Sequence, residues 1–154
     1  MGAMAGRRAH LAAIPALLLA GCESSGAAPL PAACLGEPAA IVRALERAPA
    51  AATLPDGTPL SRCVRLARGD GELQELGVSL MQVADGLRAR AVADPVVALR
   101  LGYLVGAVRR GAAATPGIAA QLARRVEQAA ALDDAGAGSR AALARGISLG
   151  EAGG

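Results

Sequence analysis

The chain has 154 residues, 53% of them hydrophobic, and carries a formal net charge of +3. It contains no Phe or Trp, Tyr103 is its single aromatic residue, and all 16 basic residues are Arg. The small net charge and the missing stacking rings argue against nucleic-acid binding. Abundant Ala and Leu, both strong helix formers, favour a core of closely packed helices.

Residues 1–21 have the three parts of an export signal. Arg7 and Arg8 give a positively charged start, residues 11–20 form a short apolar run, and small residues precede Cys22. The apolar run is about ten residues long, whereas a membrane-spanning helix needs roughly 20. The sequence therefore predicts a removable export signal and not a membrane span.

The segment Leu19-Ala20-Gly21-Cys22 resembles the lipobox of bacterial lipoproteins. This resemblance implies that a peptidase cuts between Gly21 and Cys22 and that the sulfur of Cys22 carries lipid. It ends at Cys22 and implies nothing about the domain that follows. Two or three acyl chains would hold the protein on a membrane, because each buried CH₂ contributes about 0.8 kcal/mol. We expect a lipid anchor on the extracytoplasmic side of the cell membrane; the alternative is an ordinary secretory signal followed by an incidental cysteine.

The chain after the signal divides into three predicted segments. Residues 22–33 contain the anchor and a flexible tether rich in Pro, Ser and Ala. Residues 34–150 form a single helical domain of ordinary size. Residues 151–154 end in two glycines, so we expect this tail to fray.

Lipid on Cys22 would leave Cys34 and Cys63 as a pair. In an oxidising compartment we expect them to form a disulfide, which would stabilise the fold by roughly 3.5 kcal/mol on the chain-entropy model. A metal site is not expected, because zinc takes four ligands and His10, the single histidine, leaves with the signal.

Helix signals follow one another through the domain. Pro38 suits the first turn of a helix that runs to about Ala48, and residues 55–57 are typical of a turn. Ser61 is placed to cap a short helix that carries Cys63. Four later helices have predicted starts and ends as follows: 71–92 after Asp70, 95–110 between Asp94 and Gly111, 116–132 after Thr115, and a last helix from Ser139.

The predicted fold class is all-α. No segment shows sustained alternation of period two, which would indicate strands. We predict a small bundle of about five helices, with 71–92, 95–110 and 116–132 antiparallel and one disulfide near the N-terminal end. Within the predicted helix 95–110, Gly102 and Gly106 are spaced to let a neighbouring helix approach closely.

Catalysis finds little support in the sequence. Without His10 the usual general base is absent, which excludes Ser-His-Asp and Cys-His arrangements. Glu72 and Glu75 share a helix face, but acids in a first turn are explained by the helix dipole. We therefore predict no catalytic residue, no cofactor and no metal. Four arginines flank one predicted helix connection and are a candidate contact for an anion or an acidic partner: Arg109, Arg110, Arg124 and Arg125.

The most favoured function is a non-catalytic binding or scaffold module of the cell envelope, attached to the membrane through Cys22 and contacting an envelope protein. The alternative is a carrier of a small molecule or lipid, with an apolar cleft between helices. A scaffold needs an exposed apolar or arginine-rich surface, whereas a carrier needs an enclosed apolar pocket.

Overall fold

A computed structural model describes Gly2, residues 28–115 and residues 117–154. Apart from Gly2, the signal segment with Gly21 lies outside the described residues, as do Cys22, the first half of the tether (to residue 27) and Pro116. The described chain is all-α, as predicted, with six α-helices rather than about five. Their bounds are Pro38–Leu45 (α1), Leu60–Leu66 (α2), Asp70–Ala91 (α3), Pro95–Ala112 (α4), Ile118–Ala129 (α5) and Ala137–Gly153 (α6). None of these helices is both long enough and apolar enough to cross a membrane.

A disulfide ties the start of the domain to α2. Residues Ala32–Leu35 form a single 3₁₀ turn, in which Cys34 is buried. Cys34 is bonded to Cys63 of α2, and their Cα atoms lie 5.4 Å apart. The predicted pairing is therefore confirmed, and it fixes the point from which the tether leaves the domain.

The start of α4 follows the sequence signals closely. Asp94 is its N-cap and accepts hydrogen bonds from the amides of Val96 and Val97, at 2.8 and 3.4 Å. Pro95 occupies the first helical position, where its missing N–H costs nothing. This cap and proline were both predicted.

Asp70 was predicted to cap α3 but is its first helical residue. The cap is supplied instead by Glu72, whose Oε2 accepts hydrogen bonds from the amides of Arg68 and Gly69, at 3.1 and 3.3 Å. The helix can therefore begin at Asp70, because a side chain inside its first turn already satisfies the free amides before it.

Both predicted serine starts also differ from the structure. Ser61 lies inside α2, and its hydroxyl donates to the carbonyl of Gly154. Ser139 lies inside α6, and its hydroxyl donates to the carbonyl of Val92 at 3.3 Å. Each serine is buried and satisfies a distant backbone group instead of its own helix end.

The helix α4 is the centre of the domain. Every residue from 101 to 108 is buried, so this helix is surrounded by its neighbours. Tyr103 is only 1% exposed, and its hydroxyl accepts a hydrogen bond from the amide of Ala52 at 3.2 Å. In α3, apolar residues recur at three- and four-residue steps, which predicts one inward face, and all five are buried: Leu73, Leu76, Leu80, Val83 and Leu87.

Glycines bring α4 and α6 into backbone contact. A Cβ at Gly102 would lie 2.9 Å from the amide nitrogen of Ile147, and one at Gly106 would lie 2.7 Å from that of Glu151. The register advances in the same direction on both helices, so α4 and α6 run parallel. This confirms that the Gly102–Gly106 pair admits a neighbouring helix.

The same contact is made from the other side, because Gly146 and Gly150 of α6 face the backbone of α4 around Tyr103. The partner of the glycine pair is thus a helix with matching glycines at the same four-residue spacing.

Gly111 does not end α4 as predicted, because the helix continues to Ala112. A Cβ at Gly111 would lie 2.5 Å from the carbonyl oxygen of Ser61 and 2.6 Å from the Cβ of Val64. This glycine therefore serves the packing of α2 on α4 and has no role in ending the helix.

The C-terminal residues are ordered, in contrast to the predicted frayed tail at 151–154. Helix α6 continues through Gly153, and Gly154 is buried. Arg110 donates to the carbonyls of Glu151, at 2.9 Å, and Ala152. These carbonyls would otherwise lack partners at the helix end, so the hydrogen bonds from Arg110 hold the last turn in place.

Candidate functional site

Helices α3 and α5 lie side by side and parallel, with a groove between them. At one end Asp70 and Ile118 line the same depression. At the other end, the Nε of Arg88 donates to the carbonyl of Ala131 at 2.8 Å, just beyond α5. The two helices are parallel because α4 runs back between them, joined to each by a short connection.

The groove has a volume of about 600 Å³, within the range of small-molecule and peptide sites. It continues into a second depression of about 410 Å³ at the start of α5. We call the larger depression the α3–α5 groove. It is lined by Asp70, Leu73, Gln74, Gly77, Val78, Met81, Ile118, Gln121, Leu122 and Arg125.

The floor of the groove is buried and its walls are apolar but exposed. Leu73 and Leu122 on the floor are each 7% exposed. On the walls, Val78 is 63% exposed and Ile118 is 50% exposed. Large apolar side chains exposed around one depression mark an interaction surface more often than isolated ones do.

The apolar spacing of Ile118, Leu122 and Val126 predicts that all three point inward, and for Ile118 this prediction is wrong. The helix α5 was expected to start after Thr115 but begins at Ile118, after Gly117 with φ of 94°. The buried stripe of α5 is formed instead by Ala119, Leu122, Ala123 and Val126. Ile118 therefore sits in the first turn, at the edge of the buried stripe, and faces the groove.

Charged side chains lie at both ends of the α3–α5 groove. Asp70 lines one end, and Arg68 lines the adjoining smaller depression. Arg125 lines the groove two turns along α5 from Ile118. Asp85 follows Met81 by four residues and so continues the same face of α3. All four charged residues are exposed, and none of them forms a side-chain ion pair within the described part of the chain.

The four arginines that the sequence singled out have different surroundings in the structure. Arg109 is paired with two carboxylates, Glu127 at 2.6 Å and Glu151 at 3.2 Å. The hydrogen bond that Arg109 donates to Glu127 raises the pKa of Arg109, and the one that it donates to Glu151 adds to the effect. Arg109 thus joins α4, α5 and α6, and its charge is already balanced.

Arg110 is likewise engaged, since it donates to the last carbonyls of α6. Arg124 and Arg125 are exposed on α5, and Arg125 lines the groove. Of the four, Arg125 is therefore the one that the structure connects to a candidate site. Sequence spacing could not show that Arg109 is already paired, because the acids that bind it, Glu127 and Glu151, lie on other helices.

The two acids considered for catalysis, Glu72 and Glu75, have different surroundings. Glu72 is used in the cap of α3, and Glu75 is exposed and does not line the groove. Within residues 28–115 and 117–154, no three His, Cys, Asp or Glu side chains come together as a metal site would require.

The chain has no match among protein-family models, curated proteins or solved structures.

Proposed function

We propose that this protein is a lipid-anchored, non-catalytic binding or scaffold module of the cell envelope, and that it makes its contact through the α3–α5 groove. The observation that carries the proposal is the exposure of Val78 and Ile118 on the two walls of one depression. Apolar walls with polar residues at the rim are the usual composition of a protein contact surface.

The proposed anchor rests on the lipobox at Leu19–Cys22 and the export signal before it. The disulfide supports export, because such bonds persist in oxidising compartments and are rare in the cytosol. A tether from Cys22 to the first turn at Ala32 would let the domain stand about 20 Å from the bilayer, close enough to reach neighbouring envelope components.

The anchor is tested by the mass and membrane fraction of the full chain expressed in bacteria. Processing before Cys22 with acylation would add the mass of two or three acyl chains to a chain that lacks residues 1–21. The Cys22→Ala variant should lose both the added mass and the membrane association. An unacylated wild-type chain would overturn the anchor.

The groove is tested with Val78→Glu, and the chain offers a matched control in Val96→Glu. Val96 is 60% exposed on α4 and does not line the groove. Cross-linking in intact cells should give a defined cross-linked product for wild type and Val96→Glu, and that product should be lost in Val78→Glu. Equal cross-linking of all three would rule out the groove as the contact surface.

A second function, carriage of a small apolar molecule or lipid, is favoured by the volume of the same groove and its buried floor. A carrier normally buries 70–90% or more of its ligand, whereas Val78 and Ile118 leave these walls open. Mass spectrometry of the purified native protein separates the two proposals. A stoichiometric co-purified lipid, lost in Val78→Glu but retained in Val96→Glu, would favour the carrier.

A further inference from the structure

We propose that the partner in the α3–α5 groove is an amphipathic helix of another envelope protein, about three turns long, that lies antiparallel to α3 and α5. This helix has acidic residues at its N-terminal end and basic residues at its C-terminal end. The assignment rests on the proposed function, because it concerns the same surface.

The groove has the length and the shape to hold a short helix. Its α3 wall runs from Asp70 to Met81, a length of about 16 Å at the helical rise of 1.5 Å per residue. A helix of about three turns fills this length. Its apolar residues, at three- and four-residue steps, would contact Val78 on one wall and Ile118 on the other, above the buried floor.

The composition of the groove favours a helix over an extended segment. An extended segment has no internal partners for its backbone N–H and C=O groups, and each one that is buried needs a hydrogen bond. Between the charged ends, the described lining offers side-chain amides from Gln74 and Gln121 alone. A helix satisfies the backbone of its middle turns itself, so it can fill an apolar groove and needs polar partners mainly at its ends.

The α3–α5 pair already packs one antiparallel helix. The helix α4 contacts both α3 and α5 and runs in the opposite direction to them. The groove lies on the outer side of the same pair, so a partner helix there would repeat the packing that α4 makes on the inner side. Because the dipoles of α3 and α5 point the same way, an antiparallel helix is favoured beside them.

The two ends of the groove have opposite charges. Asp70 lies at the end where α3 and α5 begin. Gly77 and Leu122 meet on the floor, since a Cβ at Gly77 would lie 3.3 Å from the Cδ1 of Leu122. Met81 and Arg125 each follow one turn further on, so Arg125 lies at the other end.

An antiparallel partner meets Asp70 with its C-terminal end and Arg125 with its N-terminal end. Basic residues in its last turn and acidic residues in its first turn complement both charges. The same arrangement stabilises the partner helix itself, because cations are favoured at a helix C-terminus and anions at an N-terminus.

The position of Arg68 also favours the antiparallel direction. Arg68 lines the smaller depression beyond Asp70, and in the described part of the chain its side chain is unpaired. Two other arginines donate to carbonyls at helix ends, Arg110 to those of α6 and Arg88 to that of Ala131 after α5. The last four carbonyls of a docked helix lack partners within that helix. Arg68 is placed to donate to them, whereas the N-terminal end of a helix would present amide donors instead.

The first test uses two synthetic peptides of the same composition, about 14 residues long, with Leu at three- and four-residue steps. One has Glu in its first turn and Lys in its last, and the other has Glu and Lys exchanged. Fluorescence anisotropy measures their binding to the full chain in phosphatidylcholine nanodiscs, with empty nanodiscs as background. The Glu-first peptide should bind with a Kd on the order of 10–100 µM, at least about fivefold more tightly than the other. Equal affinities, or no binding at about 1 mM, would overturn the proposal.

Charge reversal shows whether the peptide lies in the groove. Asp70→Arg and Arg125→Glu should each weaken binding of the Glu-first peptide about two- to fivefold at low salt, because each turns an attractive pair into a repulsive one. The matched controls are Glu75→Arg and Arg124→Glu, at exposed positions that do not line the groove. Equal effects of the groove and control variants would show a general electrostatic attraction and overturn the proposal. Thermal unfolding of each variant checks that the fold is retained.

Disulfide trapping measures the direction of the bound helix. A cysteine in the last turn of the Glu-first peptide should link to Gln74→Cys, near the Asp70 end, and one in its first turn should link to Met81→Cys. The opposite pairing would show a parallel helix and would overturn the proposal.

Cross-linking in intact cells separates this inference from the proposed function. A photo-reactive residue in place of Val78 marks the partner segment, which mass spectrometry then maps. A link to a helix with the stated order of charges supports the proposal. A link to an extended segment or to a second copy would refute the helix and retain the groove as a contact surface. A link to lipid, or a cellular product that persists in Val78→Glu, would refute both proposals.

Discussion

Replacement of Gly106 by Ala should destabilise the protein, although alanine is the better helix former. At an exposed position inside a helix, Gly→Ala is expected to stabilise by about 0.5–1 kcal/mol. At Gly106, however, the new Cβ would overlap the carbonyl oxygen of Ile147 and lie 2.7 Å from the amide nitrogen of Glu151. Both are backbone atoms, so no side-chain rotation can relieve the overlap.

The overlap forces α6 away from α4 by roughly 1 Å, and a gap of that size forfeits a quarter to a half of each dispersion contact along the interface. Overpacking of this kind typically costs 1–3 kcal/mol. After subtraction of the helix-propensity gain of about 0.5–1 kcal/mol, we expect Gly106→Ala to lower the free energy of unfolding by about 1 kcal/mol.

Urea unfolding followed by circular dichroism measures this change, with Gly86→Ala as the matched control. Gly86 is an exposed glycine within α3, and a Cβ added there would meet no atom within 4 Å. The two variants should therefore shift the midpoint in opposite directions. A Gly106→Ala variant as stable as wild type, or more stable, would refute the close packing of α4 on α6.

Three further changes probe the rest of the fold. Replacing Cys34 and Cys63 together by Ala should lower the free energy of unfolding by at least about 3.5 kcal/mol, because the unfolded chain is no longer restrained by a cross-link between residues 29 positions apart. Unfolding with and without reductant checks this. Tyr103→Phe should cost about 1–2 kcal/mol in a urea titration, since the buried amide of Ala52 loses its acceptor. A backbone hydrogen bond lowers the pKa of Asp56, so its ionised form adds stability above its unfolded pKa of about 3.9. The gap in stability between wild type and Asp56→Ala should therefore be present at neutral pH and close as the pH falls below about 4; a constant gap would contradict this sign.

Periodicity and local chemistry were sufficient for much of the fold. The inward face of α3, the capped start of α4 at Asp94 and the Cys34–Cys63 pairing were all predictable, because each depends on neighbouring residues or on simple counting. The export signal and the Cys22 anchor also rest on the sequence alone and remain predictions.

Only the tertiary structure decided how residues distant in sequence share one surface. The sequence made Arg109 a candidate contact for an acidic partner, but in the structure Arg109 is paired with Glu127 and Glu151. The sequence pattern placed Ile118 on the inward face, but α5 begins at Ile118 and leaves its side chain exposed. The α3–α5 groove exists because α4 runs antiparallel to α3 and α5, so that α3 and α5 lie parallel to each other. This arrangement brings together Asp70 and Ile118, which are 48 positions apart in the sequence. Local sequence sets which face of a helix is apolar, whereas the packing of all the helices together decides which part of that face is left uncovered.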